Sequence, residues 1–341
     1  MPLTQISKID PDEFSRCEER KQMEDHEKKS SSIQKADATI KESIYRAFWK
    51  NNILRTMEYY EVDVHVRDGC ISLNGHIVSA TSQSLIENAI KSIRGISGIK
   101  NNLVLDDKLA VEVAVSLGKL ACIYGCTFFS VASHGVISLN GIVNNANVKL
   151  LAEQCAAGNP NVRGVLNNIR ILGTRAGFQE QQFIQPTIGE NVYFLDGICG
   201  VVKQVVINPN NRCVIAMIIE GRFADQRQKI DSLTVIKAFT HEQTLVIPMR
   251  TVRYLTRASG FLDIHSNEKK RYMQFDPVHF FAPAKDWKAP YPYCPEDVLF
   301  LVSPQDPGNQ VMQQLFQSPF AATLEDTFLK EQFLANDSLG G

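Results

Sequence analysis

Gly69-Cys70-Ile71-Ser72-Leu73-Asn74-Gly75 and Gly135-Val136-Ile137-Ser138-Leu139-Asn140-Gly141 are one stretch present twice, with six of seven residues identical at an offset of 66 positions. The same offset, without a gap, carries Ala80 onto Ala146 and Leu85 onto Leu151. It also carries Gly98-Ile99-Lys100-Asn101-Asn102 onto Gly164-Val165-Leu166-Asn167-Asn168. Chance does not hold register over so long a span, so the chain contains an internal duplication.

Each copy has a physical reading. Ile71 and Leu73 alternate with Ser72 and Asn74, the pattern of a half-buried strand. Asp68-Gly69 and His134-Gly135 just before it mark tight hairpins. Gly75 and Gly141 close the strand, where a bulge or a close backbone approach requires a missing side chain; approach of a ligand is the alternative. Residues 79–81 offer helix caps, and Leu85, Ile86, Ala89, Ile90 and Ile93 then fall at helical spacing. Val148, Leu151, Ala152 and Cys155 repeat them, with Asn145 as cap. Turns at Gly98 and Gly164 precede closing strands at 102–105 and 168–172, and helices at 40–50 and 109–121 precede each unit. The order αββαβ predicts an α+β sandwich in which Ile71 and Ile137, Leu73 and Leu139, and Ile99 and Val165 are equivalent and buried.

This pattern resembles the BON domain, over 37–107 and again over 108–173. The residues that carry the resemblance are the Gly-x-Ile-Ser-Leu-Asn-Gly stretch, the helix after it and the closing strand. The resemblance implies non-enzymatic modules that bind phospholipid or mediate assembly, in a family with many exported or lipid-anchored members. The opening residues MPLTQISKIDPDEF show no charged-then-apolar signal pattern, so the expected location is cytoplasmic.

After a linker at 174–187 the period shortens. Short β-branched runs follow one another, joined by Asp196-Gly197 and by Asn208-Pro209-Asn210-Asn211. A small all-β barrel over 188–272 is expected. The runs 188–219 and 245–255 resemble a PRC-barrel, as found in the photosynthetic reaction-centre H subunit and a ribosome-maturation factor; the resemblance implies a docking module. Seven prolines between 277 and 307 exclude a helix there, so 273–307 reads as an extended arm packed on the barrel. The segment 308–341 has two short amphipathic patterns and reads as a helical tail, and 1–36 reads as a charged lead-in, solvated helix or disordered.

The 36 basic and 37 acidic residues nearly cancel, which excludes a whole-protein basic field for nucleic acid. Eight scattered cysteines form no CxxC, and no His/Cys/Asp cluster has metal-ligand spacing, so neither metal nor cofactor is expected. Phosphate-binding, nucleophile-elbow and zincin motifs are absent, so no catalytic residue is nominated. His65, His76 and His134 near the repeat strands read as ordinary core or surface histidines. Trp287, Tyr291 and Tyr293 among Lys285 and Lys288 read as packing against the barrel, with ligand stacking as the alternative. Structural roles fall to Gly69, Gly75, Gly98, Gly135, Gly141, Gly164, Asp196 and Gly197. Arg250, Arg253, Arg257, Lys269, Lys270 and Arg271 make a candidate basic patch.

The sequence therefore points to a non-enzymatic interaction or scaffold protein. Its expected partners are proteins, membrane phospholipid or a second copy of itself, with nucleic acid disfavoured. The alternative is an RNA- or ribosome-associated assembly factor using the barrel and its basic patch.

Overall fold

The computed structural model describes residues 33–173, 183–223, 242–256, 259–268 and 270–302. The chain forms two compact units, Met1–Asp106 and Asp107–Gly341. The lead-in before 33, the tail after 302 and part of the linker lie outside the described residues.

The first unit opens with helix α1, already formed at 33 and continuing to 50, followed by a π-helical turn at Leu54–Glu58. Strands β1 (Val62–Arg67) and β2 (Cys70–Ile77) form an antiparallel hairpin, and β3 (Gly98–Leu105) lies parallel to β2. Asp68 and Gly69 at the hairpin have φ of 52° and 73°, the pair of left-handed residues that a tight two-residue turn requires. The Asp37 carboxylate on α1 accepts both of their amides, at 2.8 and 2.9 Å, and so ties the helix to the turn. Helix α2 (Ala80–Lys91) starts where the Ser79 hydroxyl accepts the Ser82 amide. One face of the sheet packs Val62, Val64, Ile71, Leu73 and Ile77 against Ile44 and Phe48 of α1 and Ile86 and Ile90 of α2.

The second unit repeats the plan with α3 (Asp106–Tyr124), β4 (Thr127–Ser133), β5 (Val136–Val143), α4 (Ala146–Ala157) and β6 (Gly164–Asn167). A short β7 (Arg170–Ile171) also pairs with β5. Asn145 caps α4, accepting the Val148 amide at 3.0 Å. Ile71, Ile137, Leu73 and Leu139 are fully buried.

Ile99 corrects the expectation of equivalent burial: it is 45% exposed, whereas its counterpart Val165 is 2% exposed. Both sit on the outermost strand of their sheets. The edge at Val165 is covered, because its amide donates to the Asn211 carbonyl at 2.8 Å and its carbonyl accepts the Cys213 thiol.

Asn211 and Cys213 belong to a curled sheet, described in nine strands, that fills the rest of the second unit. It contains β8 (Asn191–Tyr193), β9 (Cys199–Ile207), β10 (Val214–Arg222), β11 (Glu242–Pro248), β12 (Val252–Leu255), β13 (Ser259–Leu262) and β14 (Met273–Gln274). Two more, β15 (Phe280–Phe281) and β16 (Val298–Leu301), come from the proline-rich arm. The arm does more than pack on the sheet: β16 pairs with β9 at Val205 and Val206. β8 pairs with the other half of β9, at Cys199 to Val201. Register shifts between β9 and β10 mark bulges that bend the strands.

The apolar runs of β9, β10 and β11 do not alternate because both of their faces are covered. Val205, Ile207, Met217, Ile219 and Ile247 line one cluster. Val206, Ala216, Ile218 and Val246 line another, beneath Phe280, Met273, Phe275 and Leu299 of the arm.

Gly141 has φ +152°, and a β-carbon there would stand 2.5 Å from the Thr127 carbonyl oxygen; at Gly75, φ is +123° and the distance to the Glu61 oxygen is 2.0 Å. The obstruction is backbone in both cases and cannot swing aside. Gly141→Val should lower the stability of the second unit by more than about 1 kcal/mol in urea unfolding. A wild-type midpoint would show that the hairpin can open at no cost.

Candidate functional site

The two repeats share a fold but present different surfaces. In each, two helices cover one face of the sheet and leave the other open. On the first sheet the open face carries Asp63, His65 and Arg67 from β1, opposite Asn74, Ser72 and Cys70 of β2, with Lys100 and Asn102 beyond on β3. The Asn102 amide donates to Asn74 Oδ1 at 2.9 Å and to Ser72 Oγ at 3.3 Å, so this face is tied by polar contacts. On the second sheet the equivalent positions hold Phe129, Val131 and Ser133 opposite Asn140, Ser138 and Val136, with Leu166 beyond. At the 66-residue offset, Asp63 has become Phe129, His65 Val131, Cys70 Val136 and Lys100 Leu166, while Ile142 stands where the first copy has the buried His76. Phe129, Val131 and Ile142 are 64%, 59% and 54% exposed. Solvent-facing positions of a sheet ordinarily carry polar residues, so this cluster of exposed apolar side chains sets the second open face apart from the first.

The second sheet is held to the curled sheet by two arginines. Arg212 is 3% exposed, and among the described residues no carboxylate is one of its hydrogen-bond partners. It follows the Asn208–Asn211 turn with φ +60°, a conformation that costs a non-glycine residue about 1 kcal/mol. Its Nε donates to the Val162 carbonyl at 2.6 Å. One Nη donates to the Lys288 carbonyl at 2.8 Å and reaches the Pro160 carbonyl at 3.5 Å. The Trp287 ring lies 5.1 Å below the guanidinium. Burial lowers its pKa to about 10, which leaves it charged at neutral pH. Arg163 makes the second link: it donates to Gln185 Oε1 at 3.0 Å and to the His134 carbonyl at 3.0 Å, between the rings of Phe183 and Tyr291. Gln185 in turn donates to the Tyr291 carbonyl at 2.7 Å.

Trp287, Tyr291 and Tyr293 of the arm therefore face this junction. Trp287 stacks on Arg212 and, edge-on, on Phe300. The Tyr293 hydroxyl donates to the Pro186 carbonyl at 2.5 Å, and burial raises its pKa well above the usual value.

The sequence-nominated residues occupy distinct places. Gly69 and Gly135 hold their hairpin turns with positive φ. Gly98 has ordinary clearance, 3.6 Å from Cys70 Sγ, whereas a β-carbon on Gly164 would stand 2.4 Å from the Phe183 ring. Gly197 turns the chain between β8 and β9 with φ +78°. Asp196 beside it accepts the amide and the hydroxyl of Ser266, at 3.1 and 2.5 Å. His65 is exposed on the open face of the first sheet, His76 is buried, and His134 occupies the second hairpin.

Of the basic patch, Arg250 lies just before β12 and Arg253 on it, and Lys270 and Arg271 in the turn after β13; Arg257 and Lys269 lie outside the described residues. Arg271 serves its own turn, donating to the Asp263 carbonyl at 3.0 Å and to Glu268 at 3.3 Å. No group of three or more His, Cys, Asp or Glu residues suited to a metal occurs among the described residues. Among them, no helix is long and apolar enough to cross a membrane.

A groove of about 540 Å³ runs between α1 and α2 of the first repeat. Leu85, Ala89 and Ile93 line it together with Arg46, Lys50 and Asn88. The Cys213 thiol, buried at the junction, is pushed up to about 12, so it is not a nucleophile at neutral pH.

Glu190 is a buried group that sequence reading missed, because it lies among ordinary turn residues. One of its oxygens accepts the Thr187 amide at 2.9 Å; the other, Oε1, is buried and has no hydrogen-bond partner among the described residues. Burial raises its pKa.

A family model described as the BON domain matches residues 36–107 and 130–173. No curated protein sequence matches the chain. Among solved structures, one similar to it is CdsD, a structural protein of the type III secretion system of Chlamydia trachomatis. It is 15% identical with TM-score 0.34, over 40% of this chain and 63% of that one. A second is the C-terminal domain of CdsD, 15% identical with TM-score 0.31, over 37% of this chain and 63% of that one. This chain thus spans less than two thirds of each of those chains.

Two measurements test the junction. Arg212→Met removes the donor that three carbonyls share and should destabilise the second unit by about 2 kcal/mol or more in urea. Arg212→Lys should not restore it, since an ammonium lacks the planar fork. Glu190 gives a pH signature. Its raised folded-state pKa leaves stability intact below the unfolded carboxylate pKa and lost as pH rises through the folded value. Glu190→Gln should therefore melt higher than wild type at pH 7, with the gain shrinking toward pH 4. An equal gain at both pH values would remove ionisation as the cause.

Proposed function

From two BON-domain segments and a curled sheet locked to the second of them, we propose that the protein is a non-enzymatic docking protein. The second repeat offers the open face of its sheet to a protein partner. The exchange of polar for apolar residues between the duplicated faces carries this reading. Two copies of one fold need the same core but not the same surface, and a surface that turns apolar needs a reason outside the fold. The partner is a protein rather than a bilayer. Thr127, Ser138 and Asn140 interleave with the apolar residues, and Arg170 is the one cation on the strands of this face among the described residues. A membrane-binding surface would set several Lys or Arg beside its apolar groups. Phe183 and Cys213 already seat on this sheet at Gly164, so a partner extends an existing contact. The curled sheet acts as the mount for the repeat, which it holds through Arg212.

A second reading rests on the groove of the first repeat. Arg46 and Lys50 beside Leu85, Ala89 and Ile93 suit an anionic phospholipid headgroup with part of its chain.

A photo-crosslinking residue at 129 or 131 should give discrete protein adducts in the cell of origin, and the same residue at 63 or 65 none. Adducts only to lipid, or none at 129 and 131, would remove the docking face. Flotation of the purified protein with phosphatidylglycerol vesicles but not phosphatidylcholine, abolished by Lys50→Glu, would establish the groove reading instead.

A further inference from the structure

Three aromatic side chains stand in a row on the outer side of the curled sheet, one from each of three adjacent strands. Tyr193 of β8 is paired with Phe261 of β13, and Phe261 with Tyr254 of β12. The Tyr193 and Phe261 rings are stacked at 5.5 Å with planes 25° apart. Those of Phe261 and Tyr254 are stacked at 4.8 Å with planes 19° apart. The ring spacing follows the strand spacing of about 4.8 Å, so each strand adds one ring to the stack. The ladder stops at Tyr254 because the sheet stops there: among the described residues β12 pairs with β13 alone. Tyr254 is 50% exposed, and Phe261 stacks on one face of its ring.

The same edge is basic. The run 249–259 contains three arginines and no Asp or Glu. Arg250 and Arg253 in it are exposed. The register shift between Val252 and Tyr254 places Arg253 in a bulge, a device that twists an edge strand away from indiscriminate pairing. Backbone hydrogen bonding alone therefore gives little here, and a partner must add something the bulge and the charge select.

We infer that the β12 edge is the docking strand for an extended acidic segment of another protein, with an aromatic residue placed opposite Tyr254. The incoming backbone pairs with β12, its ring becomes the fourth rung of the ladder, and its carboxylates meet Arg250 and Arg253. A second copy of this chain fits less well. Antiparallel self-pairing about Tyr254 stacks the two tyrosines but gathers both sets of arginines at one seam. The site is separate from the open face of the second repeat and stands whether or not that face binds.

The probe is a labelled peptide, acetyl-Thr-Glu-Val-Tyr-Val-Glu-Thr-amide, titrated into the full chain and read by fluorescence anisotropy. Saturable binding is expected, weakening as salt is raised. Replacing the peptide's Tyr by Leu should weaken it about threefold to fivefold, and replacing both Glu by Lys should abolish it. Tyr254→Ala and Arg253→Glu should each lose at least about tenfold while the melting temperature stays at the wild-type value. Phe129→Asp, on the open face, should leave the titration unchanged. Absence of binding overturns the inference, as does equal binding of the Leu and Lys peptides. A dimer in solution that Tyr254→Ala dissociates, without peptide binding, assigns the edge to a second copy and also overturns it. So does displacement of the peptide by oligo(dT) that depends on Tyr254.

Discussion

A buried guanidinium satisfied by main-chain carbonyls holds the second half of this protein together. Arg212 reaches Val162 and Pro160 in the second repeat and Lys288 in the arm, and its own backbone closes the turn between β9 and β10. Three segments distant in sequence thus meet at one planar group. Its acceptors are neutral dipoles, so the contact gains little direct charge attraction and depends on geometry. The left-handed backbone at Arg212 and the ring of Trp287 beneath it are the conditions under which the fork points at all three acceptors.

Because that junction fixes the edge of the second sheet, the two copies of one ancestral repeat live under different constraints. In the first, the outer strand is open at Ile99. In the second, Val165 is closed off by Asn211 and Cys213. Both keep an internal tie at the same offset: Asn101 donates to Glu87 at 3.4 Å, and Asn167 to Glu153 at 2.7 Å. What the duplication retained is therefore the core, the hairpin, the obligate glycines and this side-chain tie. What it released is the solvent face, and there the second copy turned apolar.

Much of this was legible in the sequence, because periodicity and turn chemistry are local. The repeat offset, the hairpins at Gly69 and Gly135, the cap at Asn145 and strand β9 all follow from residues near one another in the chain. Ile99 was misread because burial at an edge strand depends on what lies beside it, and that is set by a turn more than a hundred residues away. The arm read as extended, which is right for its prolines; its pairing with β9 was invisible, since parallel pairing with a distant strand leaves no local pattern. The PRC-barrel resemblance led to a barrel, whereas the structure shows a curled sheet with β12 at one end and β14 at the other. Arg212 went unnoticed because one arginine after an Asn-Pro-Asn-Asn turn looks like any solvated turn residue. The aromatic ladder needs the register of three strands before its rings can be seen to align.

The shared edge of β9 has a consequence for how the chain is made. β8 takes one half of that edge and β16 the other, and about a hundred residues separate their places in the sequence. The first unit contains its whole fold by Asp106 and can be completed while the ribosome is still at work. The second has no such freedom. Until residue 301 has left the exit tunnel, β9 lacks a neighbour, the arm's side chains are missing from over Val206, Ala216, Ile218 and Val246, and Arg212 lacks the Lys288 acceptor. Synthesis therefore passes through an interval in which a finished domain trails an unfinished one with an apolar sheet uncovered. During that interval this half of the protein is most exposed to aggregation.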